Sequence, residues 1–188
     1  MKASRTAAKL AQSSFGEGSP EHREGAFRLL IDTAEQQPWQ PPPDVAYEVT
    51  SLNTGDYSVD RYQDRVCIER KGLDDFVMCT QSRTEKIRFH EELKRMAEMD
   101  FAVVVVEATT RDIWEHKYRP SDFSTRRQGA SSKWAAFLDT LKPQDVLDKG
   151  STIHVAFGVP VLFIGSPTRS ARYAFNLLRG WWVKERNQ

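Results

Sequence analysis

The segment at residues 101–106 is an uninterrupted apolar run, Phe-Ala-Val-Val-Val-Val, which ends on Glu107. β-branched residues favour strands, and a strand without polar alternation is typical of one that is covered on both faces. Apolar residues at helical spacing precede the run at 84–99 and follow it at 131–141 and in part of 146–157. This pattern predicts an α/β fold with a mixed central sheet flanked by helices.

Shorter apolar runs predict the remaining strands, at residues 27–31, 45–49, 57–59, 65–71 and 159–164. We expect the first four to form an antiparallel start to the sheet, around a turn at residues 53–56. Four prolines between residues 38 and 43 predict a stiff connection. Ser166 and Pro167 are typical of a helix cap and a first helical turn, so they predict a final helix.

The length of the chain fits one domain. With 188 residues and 39% apolar side chains, it is long enough for one core and too short to promise two. Residues 1–25, rich in Ser, Gly, Ala and mixed charge, predict a flexible leader, and residues 120–129 predict a flexible loop. We therefore assign the domain to residues 26–183 and a tail to residues 184–188.

Charge is distributed unevenly, although the net charge is only +1. Residues 28–75 carry five basic and ten acidic side chains, whereas residues 111–133 carry six and three, and residues 165–188 carry five and one. An acidic segment flanked by basic ones suits a metal site beside a phosphate-binding surface. Scattered surface charge would give the same counts.

Two cysteines, Cys67 and Cys79, are too few for a disulfide framework and have no zinc-binding spacing. They indicate a reducing compartment. The sequence contains no apolar run of membrane-spanning length and no secretory signal at its start. We expect no membrane association, and a location in the cytoplasm for a prokaryotic or viral source or in the nucleus for a eukaryotic one.

The tripeptide Glu69-Arg70-Lys71 ends the strand run at residues 65–71. Side chains alternate along a strand, so Glu69 and Lys71 are expected on one face and Arg70 on the other. A carboxylate there can hold a divalent cation, and an ammonium can steady a nucleophilic water or a developing phosphate charge. A solvated ion pair at a strand end is the alternative interpretation.

Four more acids lie near these elements: Asp32, Glu35 and Asp56 follow strand ends or turns, and Asp75 opens a predicted helix. Each alone is most often a cap, a turn residue or a solvated acid. Because a sheet brings strand ends to one edge, these acids can converge with Glu69 and Lys71 into a concave site. Mg²⁺ binds a few carboxylates together with waters and phosphate oxygens, so the set fits phosphodiester hydrolysis.

Three motifs in order resemble the nuclease domain of the XPF-type structure-specific endonucleases, in the restriction-endonuclease-like, PD-(D/E)xK superfamily. They are residues 29–35, Leu-Leu-Ile-Asp-Thr-Ala-Glu, residues 55–57, Gly-Asp-Tyr, and residues 68–75, Ile-Glu-Arg-Lys-Gly-Leu-Asp-Asp. Arg83 matches the basic residue that follows in the family. The resemblance covers about residues 27–178 and implies a single nuclease domain within 26–183.

The resemblance implies a Mg²⁺-dependent DNA endonuclease, with Mn²⁺ able to substitute, that acts on branched or flapped DNA in repair or recombination. It implies that Asp56 and Glu69 ligate the metal, that Asp32 completes the acidic site, and that Lys71 positions the hydrolytic water. The backbone carbonyl of Arg70 is a candidate further ligand. Glu35, Asp75 and Arg83 would support the site or contact phosphate.

Two alternatives remain open from the sequence. The family includes inactive members, so the chain can instead be a non-catalytic DNA-binding scaffold for another nuclease, and the residues alone also allow RNA or a restriction system. Family members carry a paired helix-hairpin-helix module after the nuclease domain, and this sequence shows none before Gln188. We therefore expect a homodimer or a partner protein to supply DNA binding.

Overall fold

The computed structural model describes residues 26–118 and 132–188. In these residues, a six-stranded sheet has the strand order β2-β1-β3-β4-β5-β6. The strands are β1 (Arg28–Asp32), β2 (Ala46–Thr50), β3 (Tyr57–Val59), β4 (Val66–Gly72), β5 (Phe101–Glu107) and β6 (Val161–Phe163). The helices are α1 (Leu73–Gln81), α2 (Arg83–Ala97), α3 (Thr110–Trp114), α4 (Ser132–Thr140), α5 (Pro143–Phe157) and α6 (Pro167–Arg186).

Strand β5 is buried on both of its faces, as its sequence predicts. Val103, Val104, Val105 and Val106 are each at most 1% exposed. Val104 and Val106 pack into a core with α1, α2 and α5, whereas Val103 and Val105 pack on the other face against α6. The predicted α/β architecture, a mixed sheet with helices on both faces, is therefore confirmed.

The predicted antiparallel start of the sheet is wrong for β1 and β2. These two strands are parallel, with Leu30 opposite Glu48, and β3 pairs antiparallel with the other side of β1. A parallel pair needs a crossover connection of about a dozen residues or more, and the proline-containing segment 33–45 provides that length. A hairpin would require a much shorter link.

Strand direction brings the predicted site residues to one edge of the sheet. β3 is antiparallel to β1 and β4, and β5 and β6 run parallel to β4. The carboxyl ends of β1, β4 and β5 therefore meet the start of β3. In open α/β sheets, ligands bind outside the carboxyl ends of the strands.

The other predicted elements lie close to their expected positions. The final helix begins at Pro167 and runs to Arg186, and α3 forms in the polar segment after β5, where no helix was predicted. The predicted leader at residues 1–25 and the loop at 120–129 fall outside the described residues. Within residues 26–118 and 132–188, none of the helices has the length and apolar character needed to cross a bilayer.

Candidate active site

An open cavity of about 710 Å³ lies at this edge of the sheet. Six carboxylates and three cations line it among the residues that the structure describes, so its formal charge is negative. Asp32, Glu69 and Arg83 are outside this set of described lining residues. The charged lining residues are Glu35, Asp56, Arg70, Lys71, Asp74, Asp75, Glu85, Arg88 and Glu107.

Glu69 and Lys71 lie on one face of β4, as strand alternation predicts. The Lys71 Nζ donates a hydrogen bond to Glu69 Oε1, and the ammonium lies 5.5 Å from the centre of the Phe89 ring. Burial raises the pKa of the Glu69 carboxyl, and Lys71 offsets part of that effect. Burial alone would lower the pKa of Lys71, but the Glu69 and Asp56 carboxylates raise it above its usual range. Lys71 is therefore an ammonium at neutral pH.

Asp56 is held against β4 by its backbone and by its side chain. Its N–H donates to the Ile68 carbonyl at 2.9 Å, and its carbonyl accepts from the Asp32 N–H at 2.8 Å. Its Oδ2 accepts from the Arg70 N–H at 2.7 Å. Burial, reinforced by the Glu69 charge, raises the pKa of Asp56 well above its usual range. The Lys71 ammonium therefore compensates only part of the cost of ionising both Asp56 and Glu69, and a further cation would favour their joint ionisation.

The turn before Asp56 requires glycine. Gly55 has a φ of +74°, a region that side-chain-bearing residues rarely adopt. A Cβ on Gly55 would also lie 2.8 Å from the Cys67 Cβ and 3.1 Å from the Ile68 carbonyl oxygen. The Gly55 N–H donates to Glu92 Oε1 at 2.8 Å, which ties the turn to α2.

Asp32 stabilises the backbone at the end of β1. Its Oδ1 accepts from the Leu52 N–H at 2.9 Å, and its Oδ2 accepts from the Ala34 N–H at 3.2 Å. An ionised carboxylate has about four lone-pair sites, so these two bonds leave acceptor capacity. The Asp32 side chain therefore has a local structural role, and the Asp32 N–H donates a hydrogen bond to the Asp56 carbonyl.

Arg70 points to the opposite face of β4 and forms a polar network there. Its Nε and Nη2 each donate to the Glu107 carboxylate at 2.9 Å, and its Nη1 donates to Glu35 Oε1 at 3.0 Å. Trp39 Nε1 donates to the same Glu107 at 2.5 Å, and the Trp39 ring stacks on Tyr57. Bidentate pairs of this type fix geometry as well as charge. Arg70 and Glu35 therefore support the floor of the cavity.

The helices contribute acids and one exposed cation to the cavity. Asp75 lies in the first turn of α1, as predicted, and lines the cavity. Arg83 begins α2 and is exposed, but the cation of α2 that lines the cavity is Arg88, whose side chain is 76% exposed. Arg88 also approaches Glu85 at 3.9 Å.

Sequence reasoning did not identify Arg88, Glu92 or Glu107 as site residues. Glu107 ends β5, which is parallel to β4. The carboxyl ends of parallel strands meet at one edge of a sheet, so Glu107 is expected at the same edge as the other acids. Residues 85, 88 and 92 share one helical face, a signal available from spacing alone. Which face of α2 meets the site depends on packing, and sequence does not supply that.

The donor set fits one hard divalent cation. Among residues 26–118 and 132–188, no group of three or more His, Cys, Asp or Glu side chains is arranged to hold a metal. Mg²⁺, however, is usually bound by one or two carboxylates, with waters and phosphate oxygens in its remaining positions. Asp56, half-buried in the cavity lining, and Glu69, buried beside it, meet that requirement at a cavity with surplus negative charge.

Comparison with known proteins identifies a family and a fold. The ERCC4 domain model matches residues 31–177. XPF from Aeropyrum pernix is similar with a TM-score of 0.52 and 17% identity, over 82% of this chain and 61% of that one. XPF from Aeropyrum pernix in complex with DNA gives 0.54 and 18%, over 85% and 66%. This chain thus spans less than two thirds of those chains, and no curated protein sequence matches it.

Proposed function

The chain belongs to the ERCC4 domain family, and we propose that it is a Mg²⁺-dependent endonuclease that hydrolyses phosphodiester bonds in branched or flapped DNA. The observation that carries the proposal is the association of Asp56, Glu69 and Lys71 in and beside one open, acidic cavity. Family membership supports a nuclease, and the solved relative in complex with DNA supports a DNA substrate.

In this proposal, Asp56 and Glu69 hold the Mg²⁺, and Mn²⁺ can replace it. The bound ion would supply Lewis-acid stabilisation of negative charge on the phosphate and would favour ionisation of water. Asp32 completes the acidic site through its remaining lone pairs. The backbone carbonyl oxygen of Arg70 is a further candidate ligand of the metal. Glu35 and Asp75 support the site from the floor of the cavity and from α1, respectively.

Lys71 orients the attacking water and stabilises the charge that develops on the phosphate. The ammonium is held between Glu69 and the Phe89 ring, so it enters the reaction with a fixed position and a fixed positive charge. Water adds to phosphorus, the phosphorus–oxygen bond to the leaving strand breaks, and the leaving oxygen takes up a proton.

Arg88 provides the contact to the substrate phosphate in this proposal. Arg70 is engaged by Glu107 and Glu35, and Lys71 by Glu69. Arg88 lines the cavity with its side chain mostly exposed, so its guanidinium can meet a phosphate without first losing a close ion pair. Arg83, the basic residue matched from the family pattern, is five residues earlier, at the first position of α2, and is outside the described residues that line the cavity.

Cleavage of labelled flap, fork, Holliday-junction and plain duplex DNA tests the proposal, with Mg²⁺, Mn²⁺ or EDTA. We expect cutting with either metal, none with EDTA, and loss of cutting in Lys71→Ala. Lys94→Ala is the matched control, because Lys94 also follows a glutamate by two positions but lies exposed on α2. Cutting that persists in Lys71→Ala would contradict the proposed mechanism.

A non-catalytic DNA-binding scaffold is the second candidate. It is favoured by the solved relative in complex with DNA, which supports DNA binding and does not bear on cleavage. The same assay separates the two, because a scaffold would bind branched DNA and leave it intact in every metal. Cutting of RNA instead of DNA would show that the substrate is RNA and would contradict the proposed DNA substrate.

We propose that the chain acts in DNA repair or recombination, and that a second copy of the chain or a partner protein supplies additional contacts to the DNA. The edge strand β6 supports this, since Val161, Leu162 and Phe163 are only half-buried. Light scattering after size exclusion measures the oligomeric state. A strictly monomeric chain that cleaves DNA unaided would exclude the need for a partner.

A further inference from the structure

Asp56 is positioned by contacts from three directions. Its backbone is hydrogen-bonded to β4 and to the end of β1. The N–H of the preceding Gly55 is hydrogen-bonded to the Glu92 side chain on α2. The first two contacts belong to the sheet. The third comes from a side chain 37 residues further along the chain.

Glu92 is suited to this contact by its position on α2. It lies on the face of the helix that carries Glu85 and Arg88, one turn or two from each, so it faces the sheet edge. Its side chain is 18% exposed, and its two oxygens are divided between two partners. Oε1 accepts from the Gly55 N–H, and Oε2 accepts from Arg95.

The conformation of the Gly55 turn depends on its contacts, because glycine itself imposes little restriction on the backbone. Gly55 has a left-handed φ, and a Cβ at this position would meet Cys67, so the turn requires glycine. A bond to its N–H therefore fixes the direction in which the chain enters Asp56. If that bond is lost, the hydrogen bonds of Asp56 to Ile68 and Arg70 still hold it to β4, but the Gly55 backbone is free to rotate and the Asp56 carboxylate can shift.

We propose that Glu92 is a positioning residue, which holds the Gly55–Asp56 turn on α2 so that Asp56 and Glu69 present a preformed pair to the cation. This inference rests on the proposed function, since it assigns a role toward the metal that Asp56 and Glu69 hold. Residues that orient metal ligands typically change metal affinity by about 10- to 100-fold when they are removed.

Four substitutions distinguish the hydrogen bond of Glu92 to Gly55 from the negative charge of Glu92 and from general effects on the stability of α2. Glu92→Gln keeps an acceptor oxygen at the same reach but loses the charge, whereas Glu92→Asp keeps the charge but is one methylene too short. Arg95→Ala removes the second partner of Glu92. Glu91→Ala is the matched control, because Glu91 forms an equivalent ion pair with Lys94 on the exposed face of the same helix.

Two measurements read the result: Mn²⁺ affinity by calorimetric titration, and hydrogen exchange of the Gly55 amide by NMR. We expect Glu92→Asp to weaken Mn²⁺ binding about 10-fold or more and to expose the Gly55 amide. We expect Glu92→Gln, Arg95→Ala and Glu91→Ala to stay within about 3-fold of the native chain and to keep the amide protected.

The outcomes are distinguishable from failure of the proposed function. A native chain that takes up no Mn²⁺ contradicts the proposed function. Native binding with an unchanged affinity in Glu92→Asp overturns the positioning role. A loss in Glu92→Gln together with retention in Glu92→Asp also overturns it, because Glu92 would then act through its charge.

Discussion

At the scale of single residues, neighbouring positions on β4 have opposite surroundings. Glu69 and Lys71 pair with each other on the α2 face, and Arg70 is fixed by Glu107 and Glu35 on the other. Alternation along a strand made this division predictable from sequence. The partners of Arg70 were not predictable, because Glu35 and Glu107 reach it only through the pairing of strands distant in the chain.

The choice between Arg83 and Arg88 as the phosphate contact is testable by binding. We expect Arg88→Ala to weaken binding to flap DNA and to reduce the slope of log affinity against log salt by about one, since one phosphate contact is lost. Arg83→Ala should have a smaller effect, because Arg83 is not among the described residues that line the cavity. Fluorescence anisotropy over a salt series in EDTA measures both.

Lys86→Ala serves as the control for charge on α2, since Lys86 is exposed and is likewise outside the described cavity lining. If Arg88→Ala and Lys86→Ala weaken binding equally, the contribution of Arg88 is general electrostatic attraction. A larger effect of Arg83→Ala than of Arg88→Ala would restore the assignment made from the family pattern.

At the scale of elements, α3 shows how local hydrogen bonds start a helix that apolar spacing does not reveal. Thr109 Oγ1 accepts from the Asp112 N–H at 3.1 Å, and Asp112 Oδ2 accepts from the Thr109 N–H at 2.7 Å. This reciprocal capping satisfies N–H groups that would otherwise have no partner in the first turn. With only five residues, α3 is too short for a hydrophobic period to be read from the sequence.

Asp112 should contribute to stability in a pH-dependent manner. Hydrogen bonds from Lys117 and Thr109 lower the pKa of its carboxyl from 3.8 to about 2. Its contribution is therefore fully present above about pH 4 and is lost as the pH falls through about 2. We expect Asp112→Ala to cost about 1 kcal/mol at neutral pH, because it removes the hydrogen bonds of this carboxylate, and the difference shrinks as the pH falls through about 2.

Urea unfolding of the native chain and of Asp112→Ala between pH 7 and pH 2 measures this difference. A constant difference across the range would mean that the capping contact does not depend on the charge of Asp112. A difference that grows as the pH falls would contradict the lowered pKa.

At the scale of the whole molecule, metal binding and stability are coupled through Asp56 and Glu69. In the absence of a metal ion, the raised pKa values of Asp56 and Glu69 oppose folding at neutral pH. A bound ion offsets that cost, and its net stabilisation is about 2.7 kcal/mol at 100 times its apparent dissociation constant. For a chain of this size, that corresponds to a rise in Tm of about 5–10 °C.

Thermal unfolding with Mn²⁺ and with EDTA tests this coupling. We expect Mn²⁺ to raise the Tm of the native chain and to leave Asp56→Asn almost unchanged. In EDTA, Asp56→Asn should be at least as stable as the native chain, because it removes one of the two acids. Equal Mn²⁺ shifts in both proteins would place the ion elsewhere.

The fold was largely predictable from sequence, because the uninterrupted apolar run of β5 indicates a strand buried on both faces and the helices around it are amphipathic. The family match over residues 31–177 confirms the resemblance that the three motifs predicted. The length of the segment 33–45 is compatible with the parallel direction of β2, but nothing in its sequence determines the side of β1 on which the chain returns. Likewise, Glu92 reaches Gly55 only through the docking of α2 on the sheet.

The single antiparallel strand has a practical consequence for experiments. Because β3 and β4 form a hairpin with Asp56 and Glu69 at its open end, the hairpin tip around residues 60–64 lies at the far edge of the sheet from the cavity. Gln63 is exposed there. A fluorophore or an immobilisation tether attached at Gln63 would follow the protein on DNA and leave the approach to the cavity unobstructed.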